Sequence, residues 1–160
     1  MRKEIVFNSI GVIYSDFKDL DKIPIQPVFA EEARGYAKLF PEFVDGLKDL
    51  EGFSHVYLLY HLHRAPEAKL QVKPFLEDTA RGVFATRSPS RPNPIGFSLV
   101  KIDKIIGNIL HFSELDILNG TPLIDIKPFI PRFDFREQAS QGWLEDINEH
   151  EAQRRGRRQD

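Results

Sequence analysis

The apolar residues of this chain come in short runs that match β-strands better than helices. The runs are rich in Val, Ile and Phe, are about as long as a strand, and are separated by Gly, Asn and Pro. They cover residues 5–14, 56–61, 82–86, 97–106, 109–112 and 122–126. Gly107-Asn108, between two of these runs, predicts a two-residue hairpin. The pattern predicts a mainly β domain, either an antiparallel barrel or a sandwich.

Helical signals are few. Pro41 is suited to the first position of a helix and Gly46 to its end, which predicts one or two turns. A second short helix is predicted over residues 143–153. We expect residues 1–138 to form the β domain and residues 139–160 to form a short C-terminal helix and a frayed basic tail.

Length and composition restrict the possible functions. A chain of 160 residues with 41% apolar content fits one globular domain. No apolar run approaches the roughly 20 residues that cross a bilayer, and the N-terminus lacks the features of a signal peptide, so we expect a soluble, cytoplasmic protein. The absence of cysteine excludes disulfides, thiolate catalysis and thiolate metal sites. The net charge of −2 neither supports nor forbids nucleic-acid binding.

A polar loop at residues 87–96 contains three prolines, each of which fixes its own φ and restricts the residue before it. We call this segment the proline loop. Arg87 and Arg91 lie four residues apart in it, where guanidinium groups suit a carboxylate or a phosphate, and Asn93 suits an amide or a base edge. The loop is therefore a candidate binding site. The alternative is that its arginines pair with acidic residues across a subunit interface.

Three histidines, His55, His61 and His63, occupy odd positions in one predicted strand and would share a face. His55 and His61 would be about 20 Å apart, too far to share a metal ion. His61 and His63 would be about 7 Å apart but have no identified third ligand. We therefore expect hydrogen-bonded or ligand-facing histidines and no metal site.

Two aspartates, Asp116 and Asp125, interrupt apolar runs on either side of the turn at Asn119-Gly120. Acidic groups in apolar strands are seldom buried without a partner. Each is expected either to pair with an arginine or to face a ligand.

Several segments together resemble the TsaA-like family, also called TrmO. They are residues 10–15, 26–27, 46–60, 82–100, 119–122 and 125–128. The resemblance covers nearly all of residues 5–134, and its most specific part is the proline-dense run at 85–96. It implies a single-sheeted antiparallel β-barrel that forms a homodimer and binds S-adenosylmethionine. Members of this family methylate N6 of threonylcarbamoyladenosine beside the tRNA anticodon, at position 37.

The resemblance also implies particular site residues. The cofactor-binding positions of the family fall on Gln26, Pro27, Val28, Leu62, His63, Arg87, Phe97, Ser113, Glu114, Leu115 and Asp116. Within this set, Arg87 would take the methionine carboxylate, backbone near Leu115 and Asp116 would read adenine or ribose, and Val28 and Phe97 would cover the thioether. His63 or Asp116 would accept the proton as catalytic base. Arg91 and Asn93 would bind the RNA substrate or serve the loop's own hydrogen bonds.

The chain departs from the family pattern at Asn119, where the usual turn sequence has an aspartate. A cluster of arginines at residues 154–158 is either a solvated tail or a set of RNA contacts. Two other functions stay open at this point. One is a module that binds S-adenosylmethionine or a nucleotide without turnover, and the other is a metal hydrolase centred on His61 and His63.

Overall fold

Six antiparallel strands close into a barrel in the computed structural model, which describes residues 3–20, 23 and 33–147. The strands are β1 (Gly11–Ser15), β2 (Arg34–Leu39), β3 (His55–His61), β4 (Gln71–Val72), β5 (Arg81–Gly82), β6 (Ile95–Ile106), β7 (Ile109–Ser113) and β8 (Thr121–Pro128). The order around the barrel is β1-β2-β7-β6-β3-β8, and β8 pairs with β1 to close it. Strands β4 and β5 form a separate pair. The predicted mainly β, single-sheeted antiparallel barrel is confirmed.

The connections at the two ends of the barrel differ in length. Because all neighbouring strands are antiparallel, β1, β7 and β3 end at the edge where β2, β6 and β8 begin. We call this edge the mouth. It carries the connections 16–33, 62–94 and 114–120, whereas the opposite end carries residues 40–54 and the hairpin at 107–108. The two longest connections between barrel strands, 16–33 and 62–94, therefore both lie at the mouth.

The core fills the inside of the barrel. Inward-facing residues of four strands, including Leu58, Val100, Phe112 and Leu123, are fully buried. Burial alternates along β3, as period-two side-chain geometry requires. The connection 114–120 adds Leu115 and Ile117 to the same core. This connection is thus packed into the barrel and held in place by apolar contacts.

Two strand predictions were wrong in detail. Residues 82–86 do not form a strand, since Arg81–Gly82 is followed by a 3₁₀ helix at Val83–Ala85. The first strand is only Gly11–Ser15, without residues 5–10. Strand β2 was not predicted, because its outward residues are polar or half-polar and leave few apolar side chains in the sequence Arg34–Leu39.

The helical predictions were closer. Pro41 begins a 3₁₀ helix, Pro41–Leu47, one residue longer than predicted. A further 3₁₀ helix, Leu50–Gly52, and one short α-helix, α1 (Pro131–Asp134), complete this group. The predicted hairpin at Gly107-Asn108 is confirmed, with Gly107 at φ 58°, in the left-handed region that favours glycine.

The C-terminal segment folds back toward the mouth. Residues Gly142–Asp146 form a 3₁₀ helix that ends before Ile147, whose backbone is extended, so the predicted continuous helix over 143–153 is wrong at this point. Residues 148–153 lie outside the described residues. Trp143 Nε1 donates a hydrogen bond to the Ala85 carbonyl at 2.8 Å, and the Arg81 guanidinium lies 5.7 Å from the Trp143 ring. Among the described residues, no helix has the length and apolar character of a membrane span. The predicted division at residue 138 stays a prediction.

Candidate active site

The proline loop is stiffened by hydrogen bonds as well as by its prolines. The Ser88 N–H donates to Thr86 Oγ1 at 3.2 Å, and the Ser90 N–H donates to Ser88 Oγ at 3.3 Å. The Leu62 N–H donates to the Pro94 carbonyl at 2.8 Å and ties the loop to the end of β3. The loop therefore has an internal framework that holds its shape without a ligand.

Arg91 contributes to this framework. Its Nη1 donates to the carbonyls of Thr86 and Ser88, each at 3.3 Å. Of the two roles considered for Arg91, this geometry supports the loop's own hydrogen bonds. Its role toward RNA stays a prediction.

A cavity of about 440 Å³ lies between the proline loop and the start of β6. Its lining is Phe84, Thr86, Arg87, Arg91, Pro92, Asn93, Ile95 and Phe97. Four of the predicted site residues, Arg87, Arg91, Asn93 and Phe97, therefore meet at one cavity. The volume is within the range of small-molecule sites, which is roughly 300–1,000 Å³.

Aromatic stacking fixes the wall of this cavity on β6. The Arg87 guanidinium lies 5.7 Å from the centre of the Phe97 ring, within the range of a cation–π contact. Phe97 in turn stacks on Tyr57 of β3 at 4.8 Å. Phe97 is still 45% exposed, so part of its side chain is open to solvent at the cavity.

Asp116 lies at the mouth, in the connection that follows β7. Glu114 adopts a left-handed backbone with φ 61°, after which Leu115 enters the core. Asp116 Oδ1 accepts a hydrogen bond of 2.6 Å from Ser98 Oγ, and Ser98 Oγ lies 2.8 Å from the hydroxyl oxygen of Tyr60. Ser98 and Tyr60 are both buried, and they connect the Asp116 carboxylate to the inside of the barrel.

This environment changes the acidity of both ionisable groups. Burial raises the pKa of Asp116 to about 7, although the Ser98 hydrogen bond, a backbone hydrogen bond and the Arg87 charge each act in the lowering direction. Burial and the nearby Asp116 charge also raise the pKa of Tyr60. A carboxylate with a pKa near neutrality is suited to accept a proton in catalysis. The smallest of the lowering effects on the pKa of Asp116 comes from Arg87, so the charge of the proline loop reaches Asp116 at the mouth.

His63 follows β3 at the mouth and is exposed. Its Nδ1 lies 3.5 Å from Thr121 Oγ1, at the start of β8. Partial burial is the main factor that lowers the pKa of His63, and the neighbouring His61 and Arg64 act in the same direction. A neutral imidazole can accept a proton, so His63 remains a candidate base beside Asp116.

The other histidines lie apart from this site. His55, at the far end of β3, is hydrogen-bonded to Ser54 Oγ through Nδ1 at 2.9 Å and contacts the Phe129 ring edge-on. His63 lies beyond the end of the strand, so the expected single face of three histidines is not formed. Within the described part of the chain, no cluster of three or more His, Asp or Glu residues could hold a metal ion.

The remaining predicted residues have mainly structural contacts. Ser113 is buried and donates to Asp103 Oδ1 at 2.9 Å, Leu115 packs in the core, and Leu62 is partly buried. Glu114 lies between Ser113 and Leu115 at the left-handed turn. Gln26, Pro27 and Val28 lie outside the described residues. The cofactor roles of all of these stay predictions.

Asn119, at the turn before β8, and Asp125, within β8, both have defined partners in the structure. Asn119 Oδ1 accepts from the Ser15 N–H at 3.1 Å, and the Asn119 N–H donates to the Phe17 carbonyl at 2.8 Å. The amide therefore maintains the turn in place of a carboxylate. Asp125 forms a 2.8 Å salt bridge with Lys127, so its partner is a lysine and not the expected arginine.

Sequence reasoning missed Ser98 and Tyr60. A signal was present, since Ser98 is a polar residue between Phe97 and Leu99 in an apolar run. Its inward position became evident only with the β3–β6 register, which pairs Tyr60 with Gly96 and Leu58 with Ser98.

Comparison with known proteins agrees with the barrel fold. Residues 12–135 match the family model described as the tRNA-methyltransferase O N-terminal domain. The chain belongs to this family. The TrmO resemblance predicted from the sequence is thereby confirmed.

Individual relatives of this TrmO-family chain differ in length. A probable S-adenosyl-L-methionine-binding protein of Pyrococcus abyssi is 51% identical over 141 residues, covering 88% of this chain and 77% of the relative. The tRNA (adenine(37)-N6)-methyltransferase of Escherichia coli is 38% identical over 149 residues, covering 87% of this chain and 63% of the enzyme. The crystal structure of TrmO from Pseudomonas aeruginosa superposes with a TM-score of 0.75 at 38% identity, covering 88% of this chain and 63% of that one. The chain thus spans less than two thirds of the two bacterial proteins.

Proposed function

We propose that the protein is an S-adenosylmethionine-dependent methyltransferase that acts on N6 of threonylcarbamoyladenosine at position 37 of tRNA. The observation that carries this proposal is the mouth of the barrel, where a preformed cavity with Arg87 lies within the electrostatic reach of Asp116, whose pKa is near 7. The names of the Escherichia coli and Pyrococcus abyssi relatives support the reaction and the cofactor respectively.

The residues at the mouth fit S-adenosylmethionine. Arg87 offers several N–H donors to the methionine carboxylate, and the exposed part of the Phe97 side chain offers an apolar wall to the thioether region. The backbone around Leu115 and Asp116 is held rigidly by the core and suits recognition of adenine or ribose. When bound, the cofactor supplies an electrophilic methyl group on a sulfonium sulfur.

Asp116 is the proposed proton acceptor. The N6–H of a carbamoylated adenosine is more acidic than that of a simple amine, so a weak base suffices. The Asp116 carboxylate would take this proton while N6 gains the methyl group, whose bond to the cofactor sulfur breaks and leaves a neutral thioether. Ser98 orients this carboxylate through its 2.6 Å hydrogen bond. His63 is the second candidate for the same role. Positioning of the acceptor nitrogen by a rigid site supplies much of the acceleration.

The proposed partners are the anticodon loop of tRNA and a second copy of the chain. The base reaches the mouth unstacked from the anticodon loop, as sequence-selective RNA recognition generally requires. Asn93, exposed at the cavity beside Arg87, is proposed to contact this RNA. A homodimer is proposed because Phe84 and Ile95, two exposed apolar residues in the lining of the cavity, are suited to contact a second copy of the chain. The enzyme would work in the cytoplasm, with its tRNA.

The decisive experiment supplies methyl-labelled S-adenosylmethionine and two tRNAs that differ only in the threonylcarbamoyl group at adenosine 37. We expect label in the modified tRNA and little in the unmodified one. A third tRNA with guanosine at position 37 serves as the control for position. Cofactor binding is measured separately by calorimetry.

The outcomes distinguish the candidate functions. Cofactor binding without transfer to either tRNA would replace the methyltransferase by a binding module. Equal transfer to both adenosine-containing tRNAs would retain the enzyme but remove the threonylcarbamoyl requirement. Transfer to the guanosine control would contradict the assignment of adenosine N6.

A further inference from the structure

A row of rings crosses the outer face of the barrel on β1, β2 and β7. Tyr14 pairs with Tyr36 and Tyr36 with His111 in the strand registers, so the three side chains lie side by side. The Tyr14 and Tyr36 rings are stacked with centroids 5.0 Å apart and planes at 21°, and the His111 ring lies 5.8 Å from Tyr36. We call Tyr14, Tyr36 and His111 the ring platform.

Basic side chains surround the ring platform. Arg34 and Lys38 lie two residues before and after Tyr36 on the same face of β2, and both are exposed. Lys104 of β6 is paired with His111 and extends the row. Within the described residues, none of these three cations forms a salt bridge. Their charge is therefore available to an anionic partner.

The platform also borders a cavity of about 360 Å³. Its lining is Tyr14, Ser15, Asp16, Arg34, Gly35, Tyr36, His111 and Asn119. Asp16 is the acidic member of this lining and suits the exocyclic N–H groups of a base, whereas Arg34 suits a phosphate. The cavity thus combines aromatic rings, the Arg34 cation and the Asp16 carboxylate.

A row of stacked rings flanked by Arg and Lys is suited to single-stranded nucleic acid, since an unpaired base can extend the stack at the end of the row while cations follow the phosphates. We propose that the ring platform binds an unpaired base of the tRNA substrate, with Arg34 and Lys38 on the adjoining phosphates. This inference rests on the proposed function, because it takes RNA as the substrate.

The position of the platform agrees with such a role. Arg34 begins β2 at the mouth, and a single strand, β7, separates β2 from β6, which carries Phe97. A strand of RNA whose target base enters the mouth can therefore lay a neighbouring nucleotide on the outer face without leaving the protein. The platform would serve binding, and the mouth would serve the chemistry.

The test measures binding of a fluorescein-labelled RNA anticodon stem–loop by polarisation. Tyr36→Ala, which breaks the row of stacked rings, is expected to weaken binding about five- to a hundredfold, the range for loss of base–ring stacking, while Tyr36→Trp retains it. Phe53→Ala is the matched control, because Phe53 is as exposed as Tyr36 (37% and 36%) but lies at the end opposite the mouth. Its binding should equal that of the wild type.

A second measurement does not depend on how well the Tyr36 variant folds. Lys38→Ala removes an exposed charge beside the rings, and it should lower the slope of log affinity against log salt by about 0.7. Lys48→Ala, an exposed lysine at the opposite end, should leave the slope unchanged. Unchanged slopes in both variants would contradict the phosphate contact.

Failure of the platform and failure of the proposed function give different results. If the wild type transfers methyl to tRNA but folded Tyr36→Ala binds RNA as tightly as the wild type, the platform is refuted and the function stands. If the wild type binds no RNA, both are refuted. If Tyr36→Ala instead changes the mass of the protein in solution, the face is an interface between copies and the RNA assignment is overturned.

Discussion

The most informative perturbation is Asp116→Asn, which removes a charge and keeps the shape of the side chain. The amide oxygen can still accept the hydrogen bond from Ser98 Oγ that now spans 2.6 Å. We expect the variant to be more stable than the wild type at and above neutral pH and to lose methyl transfer. Gain of stability with loss of activity is typical of a residue whose burial serves function.

The magnitude follows from the pKa of Asp116. Burial raises that pKa from 3.8 to about 7, so the folded state binds the proton more tightly than the unfolded chain does. The stability associated with the protonated group is present below the unfolded pKa and is lost as pH rises through the folded one. At about 1.4 kcal/mol per pH unit the loss is at most about 4 kcal/mol, and about 2 to 4 kcal/mol after allowance for partial exposure of the residue.

The assay is urea denaturation of wild type and variant from pH 4 to pH 8. The difference in the free energy of unfolding should be less than about 1 kcal/mol at pH 4 and should grow to its full value at pH 8. Asp45→Asn, which removes an exposed charge in the 3₁₀ helix opposite the mouth, is the control and should show no such growth.

Two results would refute this reasoning. A difference that is the same at every pH would mean that Asp116 ionises alike in the folded and unfolded chains. A variant that gains stability but keeps full methyl transfer would leave the burial argument intact and remove Asp116 as catalytic base, in favour of His63.

The remaining predictions concern the cofactor and the support of Asp116. Arg87→Ala should weaken S-adenosylmethionine binding tenfold or more through loss of a charge-assisted contact, and Arg87→Lys should recover part of it; equal calorimetric affinities would contradict the carboxylate contact. Ser98→Ala removes a hydrogen bond that lowers the pKa of Asp116. The pH midpoint of the methyl-transfer rate should therefore rise by about one to two pH units. An unchanged midpoint would show that the rate does not depend on the ionisation of Asp116. Gly96→Ala places a methyl group against the Tyr60 ring and should destabilise the protein by about 1–3 kcal/mol, which thermal denaturation checks; a variant as stable as the wild type would show that Tyr60 moves freely.

The sequence predicted those parts of the structure that depend on local pattern. The strand character of β3, β6, β7 and β8, the hairpin at Gly107 and the stiffness of the proline loop all come from near neighbours in the chain. Strand β2 was missed because Arg34, Tyr36 and Lys38 face outward and reduce its apolar content. A strand in which apolar and polar residues alternate is harder to recognise in the sequence than a continuous apolar run.

The same difference between local motifs and long-range contacts applies to the candidate active site. The cavity at Arg87 and Phe97 was within reach of the sequence, because both residues belong to one continuous motif. The contact from Tyr60 through Ser98 to Asp116 was not, since these residues are separated by 38 and 18 positions and meet only in the closed barrel. The pKa of Asp116 depends on that closure, so it could not be predicted from composition or spacing.

A crystal structure of the protein with S-adenosylhomocysteine is the most direct test of the proposed cofactor site. We expect the ligand at the mouth, with its carboxylate on Arg87, its sulfur beside Phe97 and its adenosine near Leu115 and Asp116. A ligand bound elsewhere, for example in the cavity beside Tyr14 and Tyr36, or bound at the mouth with Arg87 turned away from it, would contradict this assignment.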